Sequence, residues 1–442
     1  MSTATHDNLE QFDIAIIGGG LVGASLACAL EGFARQHQWS IAVIEAVPMP
    51  EITEGETPES FQPSYDARST ALSWGTKQIY DQLGLWSQLA PHAAPIKKIH
   101  VSDQGHLGAT RLNAQDHHVD ALGYVAPNQW LGRVLLQAVQ QAQHLFWFCP
   151  FTVERMDVGA GEHLLHLNDS QGLSRQIAAK LVVLADGGQS NLKQQLQIVD
   201  RQQPYEQNAL VCNLTLSQPH QNEAFERFTP SGPMAWLPLT APKDIALVWT
   251  VPTDEIETVM ALTDAEFAQR LHKLFGYRLG AVEKVGQRYQ YPLTLVRATE
   301  QIRPGLVVLG NAAHYMHPVA GQGYNLALRG VADLADTLNK AALAHQPLGD
   351  LAVLQGYLAG RQADQDSVIG FSDGLIRLFA NHNPVLGHLR AGGLMLLDRL
   401  TPAKRWFARQ AMGIGGQAVR LQPVQLASSV PVDPRTSASQ PT

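Results

Sequence analysis

Hydrophobic and polar positions follow two alternating rhythms through the first part of the chain. Asp13–Ile17 is a short apolar run that stops at three consecutive glycines, and Leu21–His37 then repeats its apolar residues at helical spacing. Ser40–Glu45 is again continuous and apolar. Strand, glycine turn, helix and strand predict a βαβ unit, whose strands run parallel because the helix returns the chain to its starting end. Val47–Tyr65, crowded with proline, glycine and glutamate, predicts a solvated loop. Thr70–Leu89 predicts an amphipathic helix and Asn128–Gln143 another. Phe148–Val158 reads as one strand, and Ile177–Ala185 as a central, fully buried one.

The texture changes after Leu210. Short alternating runs such as LVCNLTL and IALVWTV predict antiparallel strands, with one helix at Thr263–Leu274. Gly305–Leu309 returns to a buried strand, and a long helix begins near Asn325 with Leu326, Leu328, Val331, Leu334 and Leu338 on its apolar face. From Ala352 the chain reads as helical, and residues 422–442, rich in Pro, Ser and Thr, as a disordered tail. The expected fold class is α/β. A Rossmann-like nucleotide-binding domain spans 11–200 and 296–350, an antiparallel β-sheet substrate domain (201–295) is inserted in it, and a helical C-terminal region covers 351–421. Some strands of the first segment are expected to join the inserted domain.

Composition narrows the function classes. A chain of 442 residues, 45% hydrophobic, can bury a large core without disulfide staples. Its net charge of −7 argues against a general nucleic-acid binder. Cys28, Cys149 and Cys212 stand far apart with no CxxC pair, which fits buried thiols in a reducing, cytoplasmic setting. The start MSTATHDNLEQF lacks the layout of a signal peptide, and no apolar run approaches the ~18 residues of a membrane span.

Gly18, Gly20 and Gly23 form GxGxxG directly between a predicted strand and helix. The first glycine permits the tight turn, the second lets backbone approach a pyrophosphate, and the third lets helix pack on strand. The helix N-terminus offers free N–H groups and partial positive charge to that phosphate. Glu45, at the end of the next strand, is placed to accept from both ribose hydroxyls, which disfavours a 2′-phosphate. These residues predict bound FAD or NAD and leave the choice open.

Two later stretches decide it by resemblance. Asp186-Gly187-Gly188-Gln189-Ser190 with Lys193 resembles the DGxxSxxR motif of the aromatic-ring (p-hydroxybenzoate-hydroxylase-like) FAD monooxygenases. Gly310-Asn311-Ala312-Ala313-His314, His317-Pro318 and Gly321-Gln322-Gly323-Tyr324-Asn325 resemble their GDAAHxxxPxxGQGxN motif. The resemblance implies FAD as cofactor, NADPH or NADH as a transient electron donor, O2 as co-substrate, and oxygen transfer through a flavin C4a-hydroperoxide. It implies that Asp186 and Gly187 lie on the pyrophosphate side, that Gly310 and Asn311 meet the ribityl chain, and that Gly321–Asn325 aim a helix N-terminus at the flavin. There the dipole stabilises the negative charge of the reduced ring. Arg133, in RVLLQAV, matches the family arginine beside the FAD phosphates, and Pro318 the proline facing the ring. Lys193 stands where the family has arginine, which leaves the donor's docking in question. His314 and His317 have no acidic third ligand nearby, and no metal is expected.

Asp66-Ala67-Arg68-Ser69-Thr70-Ala71-Leu72 matches a DxRxxAL stretch of the ubiquinone-biosynthesis hydroxylases, with Arg68 near the flavin. AFERFTPSGPMAWLPL (Ala224–Leu239) and SDGLIRLFAN (Ser372–Asn381) resemble the same branch. The implied reaction converts 2-polyprenyl-6-methoxyphenol to a 1,4-benzoquinol, with a prenylated phenol as partner and other ubiquinone-biosynthesis proteins as possible associates. Hydroxylation at another ring position and a non-catalytic flavoprotein scaffold stay open. His317, Pro318 and Tyr291 are the candidate catalytic pocket residues, and Tyr324 is a further candidate base. From Gly374 to Leu421 seven Lys or Arg face one acid, Asp398, among leucines, phenylalanines and Trp406. This basic amphipathic end predicts peripheral contact with an anionic membrane, an interface with a partner enzyme, or packing onto the nucleotide-binding domain, and the choice stays open.

Overall fold

The computed structural model describes residues 9–48, 68–106, 108–316, 321–379, 393, 396–414 and 421–424. The expected loop Val47–Tyr65, apart from Val47 and Pro48, and the expected tail beyond residue 424 lie outside them.

The first sheet has eight strands and is built on the βαβ unit. Its parallel core runs from Leu306–Val308 through Ser174–Leu184, Glu10–Ile17 and Ile41–Ile44 to Leu145–Phe148. Period-2 alternation divides each strand between two cores. Ile14, Ile16, Ile41, Val43 and Val183 face the helices, whereas Ala15, Ile17, Ile44, Val182 and Leu184 face the hairpin Thr152–Asn168 and residues 192–198. Both faces are therefore covered, as a parallel sheet requires. The helical side carries Leu21–His37, Asn128–Gln140 and Gln322–Leu343. The four leucines and the valine expected on the long helix's apolar face are all fully buried.

Nine strands form the second sheet. Asp200–Leu216, Tyr289–Ala298, Asp244–Pro252, Gly232–Pro238 and Glu223–Thr229 pair antiparallel. Lys98–Asp103 and Ala109–Asn113 extend the sheet from the first segment, and Lys98–Asp103 runs parallel to Glu223–Thr229. Thr263 caps Asp264–Phe275 in a reciprocal capping box with Glu266. A small third sheet joins Ser69–Ser73, Gly123–Pro127 and Ala94–Ile96.

Two expected elements are corrected. Thr70–Leu89 is not one helix. Ser69–Ser73 is a strand, Ser73 accepts from the Thr76 N–H as N-cap, and helices follow at Trp74–Gln82 and Trp86–Leu89. Strand Phe148–Val158 is two strands, Leu145–Phe148 and Thr152–Val158, because Pro150 has no N–H for the ladder.

The C-terminal helix Leu351–Phe379 is fastened to the long helix by buried charge. Arg361, 2% exposed, donates to Asp333 (3.0 Å), Asp364 (2.7 Å) and the Leu326 carbonyl (3.2 Å). Arg329 meets Asp364 at 2.9 Å. Among the described residues no helix is long and apolar enough to cross a membrane, and no group of three or more His, Cys, Asp or Glu is arranged to hold a metal ion.

Candidate active site

The glycine loop after the first strand is set by contacts that exclude side chains. Gly18 has φ +103°, and a Cβ there would stand 2.7 Å from the Ala185 carbonyl oxygen. A Cβ on Gly23 would meet the Gly18 oxygen at 1.8 Å, so the helix can approach the strand only as glycine. A Cβ on Gly20 meets nothing within 4 Å, so bare backbone at the helix N-terminus opens onto free space. Gly19, outside the motif, is equally constrained, since a Cβ would lie 2.5 Å from the Trp147 ring. Glu45 accepts from the Gly19 N–H at 2.7 Å and the Val47 N–H at 2.8 Å, tying the loop to the end of the second strand.

The Asp186 loop lies beside it. Asp186 accepts from the N–H groups of Gly188 (2.9 Å) and Ser190 (2.8 Å), so its carboxylate shapes the turn, while Gly187 keeps φ +72° and is exposed. Lys193 departs from the docking role left in question above. It is buried, and its ammonium donates to both oxygens of Asp200 (2.8 and 2.7 Å) and to the Ala312 carbonyl (3.0 Å). All three of its hydrogens are used in joining the Asp186 loop to the Gly310–Ala312 turn. Gly310 packs against Val22, and Asn311 is exposed.

The long helix starts at Gly321, which has φ +60° against Ala71. Asn325, 1% exposed, fixes this start with four hydrogen bonds. Its oxygen accepts from the Ser73 N–H (2.8 Å) and the Thr76 hydroxyl (2.7 Å), and its amide donates to the carbonyls of Ala71 (2.9 Å) and Gly321 (2.7 Å). Tyr324 bonds Tyr80 and Ser25 behind the helix, and burial pushes its hydroxyl pKa up. Arg133 is half-buried on Asn128–Gln140, one residue past Gly132, where that helix passes Leu21. His314 is buried, and burial lowers it to about 4, so it is neutral. His317 and Pro318 lie outside the described residues, as does Asp66.

A cavity of about 780 Å³ extends from this point. Arg68, Asn311, Gly321, Gln322 and Gly323 line one part, and the Arg68 guanidinium lies 5.4 Å from the centre of the Tyr291 ring. The rest is apolar. Val211, Val248, Ala235, Leu237, Phe228, Val101 and Leu112 come from the second sheet, and Phe371, Leu397 and Phe407 from the C-terminal helices. One carboxyl stands among them, Glu226. The sequence reading passed over it, although Ala224, Glu226 and Phe228 share one face of a strand and a charge between two apolar positions was the available signal.

Bare backbone stands at two helix N-termini, at Gly20 and at Gly321, and the second opens into the apolar chamber. That geometry suits a dinucleotide with a flat ring at one end and a hydrophobic co-substrate against it. The profile of the FAD binding domain family matches residues 11–363. The chain is 35% identical to the ubiquinone hydroxylase UbiL of Rhodospirillum rubrum, over 91% of this chain and 89% of that protein. It is 30% identical to the 3-demethoxyubiquinol 3-hydroxylase of Escherichia coli K12, over 91% and 98% respectively. The crystal structure of p-nitrophenol 4-monooxygenase PnpA from Pseudomonas putida DLL-E4 superposes with a TM-score of 0.74 over 93% of this chain and 100% of that one, at 15% identity. Fold, site geometry and relatives agree, and the chain belongs to the FAD-dependent monooxygenases of the ubiquinone-biosynthesis hydroxylase family.

Proposed function

We propose that this enzyme hydroxylates 2-polyprenyl-6-methoxyphenol at the carbon para to the hydroxyl, giving 2-polyprenyl-6-methoxy-1,4-benzoquinol. The observation that carries this reading is a largely apolar cavity of about 780 Å³ that begins at the Gly321 helix start and continues to the C-terminal helices. A phenol ring fits its polar end and a prenyl chain its apolar length. Both ortho carbons of this phenol are substituted, so the para carbon is the open position to which the oxygen directs electron density.

The residues present fit FAD. Gly18, Gly20 and Gly23 with the first helix N-terminus would hold the pyrophosphate, with Arg133 near the phosphates and Glu45 at the adenosine ribose. Asp186 and Gly187, and Gly310 with Asn311, would border the middle of the cofactor, the exposed Asn311 amide accepting in place of a carboxylate. Gly321, Gln322, Gly323, Asn325 and Arg68 would border the ring. Once bound and reduced by a visiting NADPH or NADH, FAD supplies an electrophilic oxygen atom derived from O2. The protein's share is placement and exclusion of water. Asn325 fixes the direction of the helix whose N–H groups would meet negative charge on the ring, and the valines and phenylalanines would keep water from the chamber. Tyr291, stacked beneath Arg68, and the motif residues His317 and Pro318 complete the proposed pocket.

Purified holoenzyme given NADPH, 18O2 and a short-chain 2-prenyl-6-methoxyphenol tests this directly. One labelled oxygen at the para carbon supports the reading. A labelled product at another carbon moves the regiochemistry, and oxygen consumption without labelled product contradicts it.

A second observation favours contact with an anionic bilayer. The helix Thr401–Ala411 turns Phe407 into the cavity while Trp406 is 57% exposed beside Arg405 and Arg409, and Leu400 just before it is 47% exposed. Apolar and basic groups at the cavity's helical wall suit a prenylated substrate drawn from lipid. Sedimentation with anionic vesicles, weakened by Trp406→Ser with Arg405→Glu, supports this contact. Sedimentation indifferent to lipid charge contradicts it and leaves a partner protein as the occupant of that surface.

A further inference from the structure

A row of residues crosses the second sheet on the face that floors the cavity. Reading across the pairings, Val211 stands opposite Val248, Val248 opposite Ala235, Ala235 opposite Glu226, and Glu226 opposite Val101. All five line the cavity, and Glu226 is the one polar member. Neighbours in such a row share a face, so the carboxyl projects into the same space as the valines.

Among the described residues nothing ionisable assists it: Val101 and Ala235 flank it, and the C-terminal segments bring Phe371, Gly393, Leu397, Phe407 and Ala411 to the chamber. Arg227, next in the chain, points to the opposite face, donating to the Leu274 carbonyl at 2.8 Å and to Ser102 at 3.3 Å. Among the described residues, the other titratable groups that share the cavity are Arg68, Tyr291, Tyr315 and Tyr324. Burial alone acts on the Glu226 carboxyl and pushes it up to about 7. An acid in this state both takes and returns a proton near neutral pH.

The face that carries Glu226 continues toward the start of the long helix, whose Gly321, Gln322 and Gly323 line the same cavity. Two residues along the same face, Ala224 packs with Ile96 and Val125, on strands of the small third sheet. Gly123 of that sheet pairs with Ser73, which Asn325 holds at the start of the long helix.

We propose that Glu226 is the catalytic proton acceptor for the substrate's phenolic hydroxyl, a role that rests on the reading of the substrate as a phenol. The phenol O–H bond breaks as its proton bonds to a Glu226 carboxylate oxygen, and the electron pair left on the phenol oxygen raises the density at the para carbon. After oxygen transfer the para C–H bond breaks, its proton passing to water and its electron pair restoring the aromatic ring. The ring oxygen takes a proton back from Glu226, which ends as the carboxylate it began as.

The test compares holoenzyme, Glu226→Gln and Glu226→Asp. In the wild type the hydroxylation rate rises with pH through about 7, and Glu226→Gln lowers it about 100-fold or more and flattens the profile. Glu226→Asp retains a pH-dependent part of the rate. A second readout needs no turnover: binding of 2-prenyl-6-methoxyphenol and of its O-methyl ether to the oxidised holoenzyme, followed by the flavin spectrum. The preference for the phenol grows as pH rises through about 7 in the wild type and stays constant in Glu226→Gln. If the wild type hydroxylates the phenol and Glu226→Gln keeps its rate within about twofold with the same profile, the role is overturned. If the wild type neither binds nor hydroxylates the phenol, the substrate reading has failed instead.

Discussion

Asn325 holds the backbone of Ser73 through its side-chain oxygen at 2.8 Å, joining residues 252 positions apart in the sequence. The bond couples the strand carrying Arg68 at its base to the helix that starts at Gly321. Every donor and acceptor of the Asn325 amide is used, in a setting 1% exposed. Asn325→Asp keeps the shape but cannot donate, so a carboxylate then faces the carbonyls of Ala71 and Gly321. Stability is expected to fall by about 3 kcal/mol with loss of bound flavin, measured by denaturant unfolding and by the flavin retained on gel filtration. An unchanged flavin content and midpoint would contradict the coupling.

The glycine loop separates packing from ligand contact. Gly23→Ala brings a Cβ within 1.8 Å of the Gly18 carbonyl and is expected to destabilise by about 3 kcal/mol or prevent folding. Gly20→Ala meets nothing within 4 Å, so the unloaded protein keeps its stability while FAD binds about tenfold more weakly. Thermal unfolding of apo-protein and a flavin titration of each variant check the contrast. Equal losses of stability in the two would contradict it.

Lys193 is structural. Replacing it with Met leaves Asp200 and the Ala312 carbonyl without their charged donor, at an expected loss of about 3 kcal/mol. The KM for NADPH of the folded fraction is expected to stay within about twofold. Steady-state kinetics beside urea unfolding distinguishes this from a docking role, in which KM would rise and stability hold.

Arg361 anchors the C-terminal helix in the same manner. Asp364→Ala strips Arg329 and Arg361 of their shared carboxylate and is expected to cost about 3–5 kcal/mol. Hydrogen exchange should loosen first across Leu351–Phe379, while Leu21–His37 keeps its protection.

How legible this was in the sequence depended on the range of the interactions. The helix Leu21–His37 reads off to the residue because its pattern, the glycines before it and the buried strand beside it are all local. The Gly321 helix start is legible through its motif. Thr70–Ser73 reads as the start of a helix because only the pairing of Ser69–Ser73 with Gly123–Pro127, some fifty residues on, makes it a strand. Lys193 looked like a docking charge because its partners, Asp200 and the Ala312 carbonyl, are brought to it by the fold. Glu226 was passed over because it stands beside a second charge, Arg227. Strand alternation sends the two to opposite faces, and only the cavity shows which of them is dry.

The central claim is the reaction itself, and the most direct test is mass spectrometry of quinone-pathway lipids in a host lacking this gene and any redundant hydroxylase. The predicted result is accumulated 2-polyprenyl-6-methoxyphenol, cleared by the intact gene and not by Gly20→Asp, which sets a carboxylate where the pyrophosphate approaches bare backbone. An unchanged lipid profile, or accumulation of a different intermediate, would contradict it.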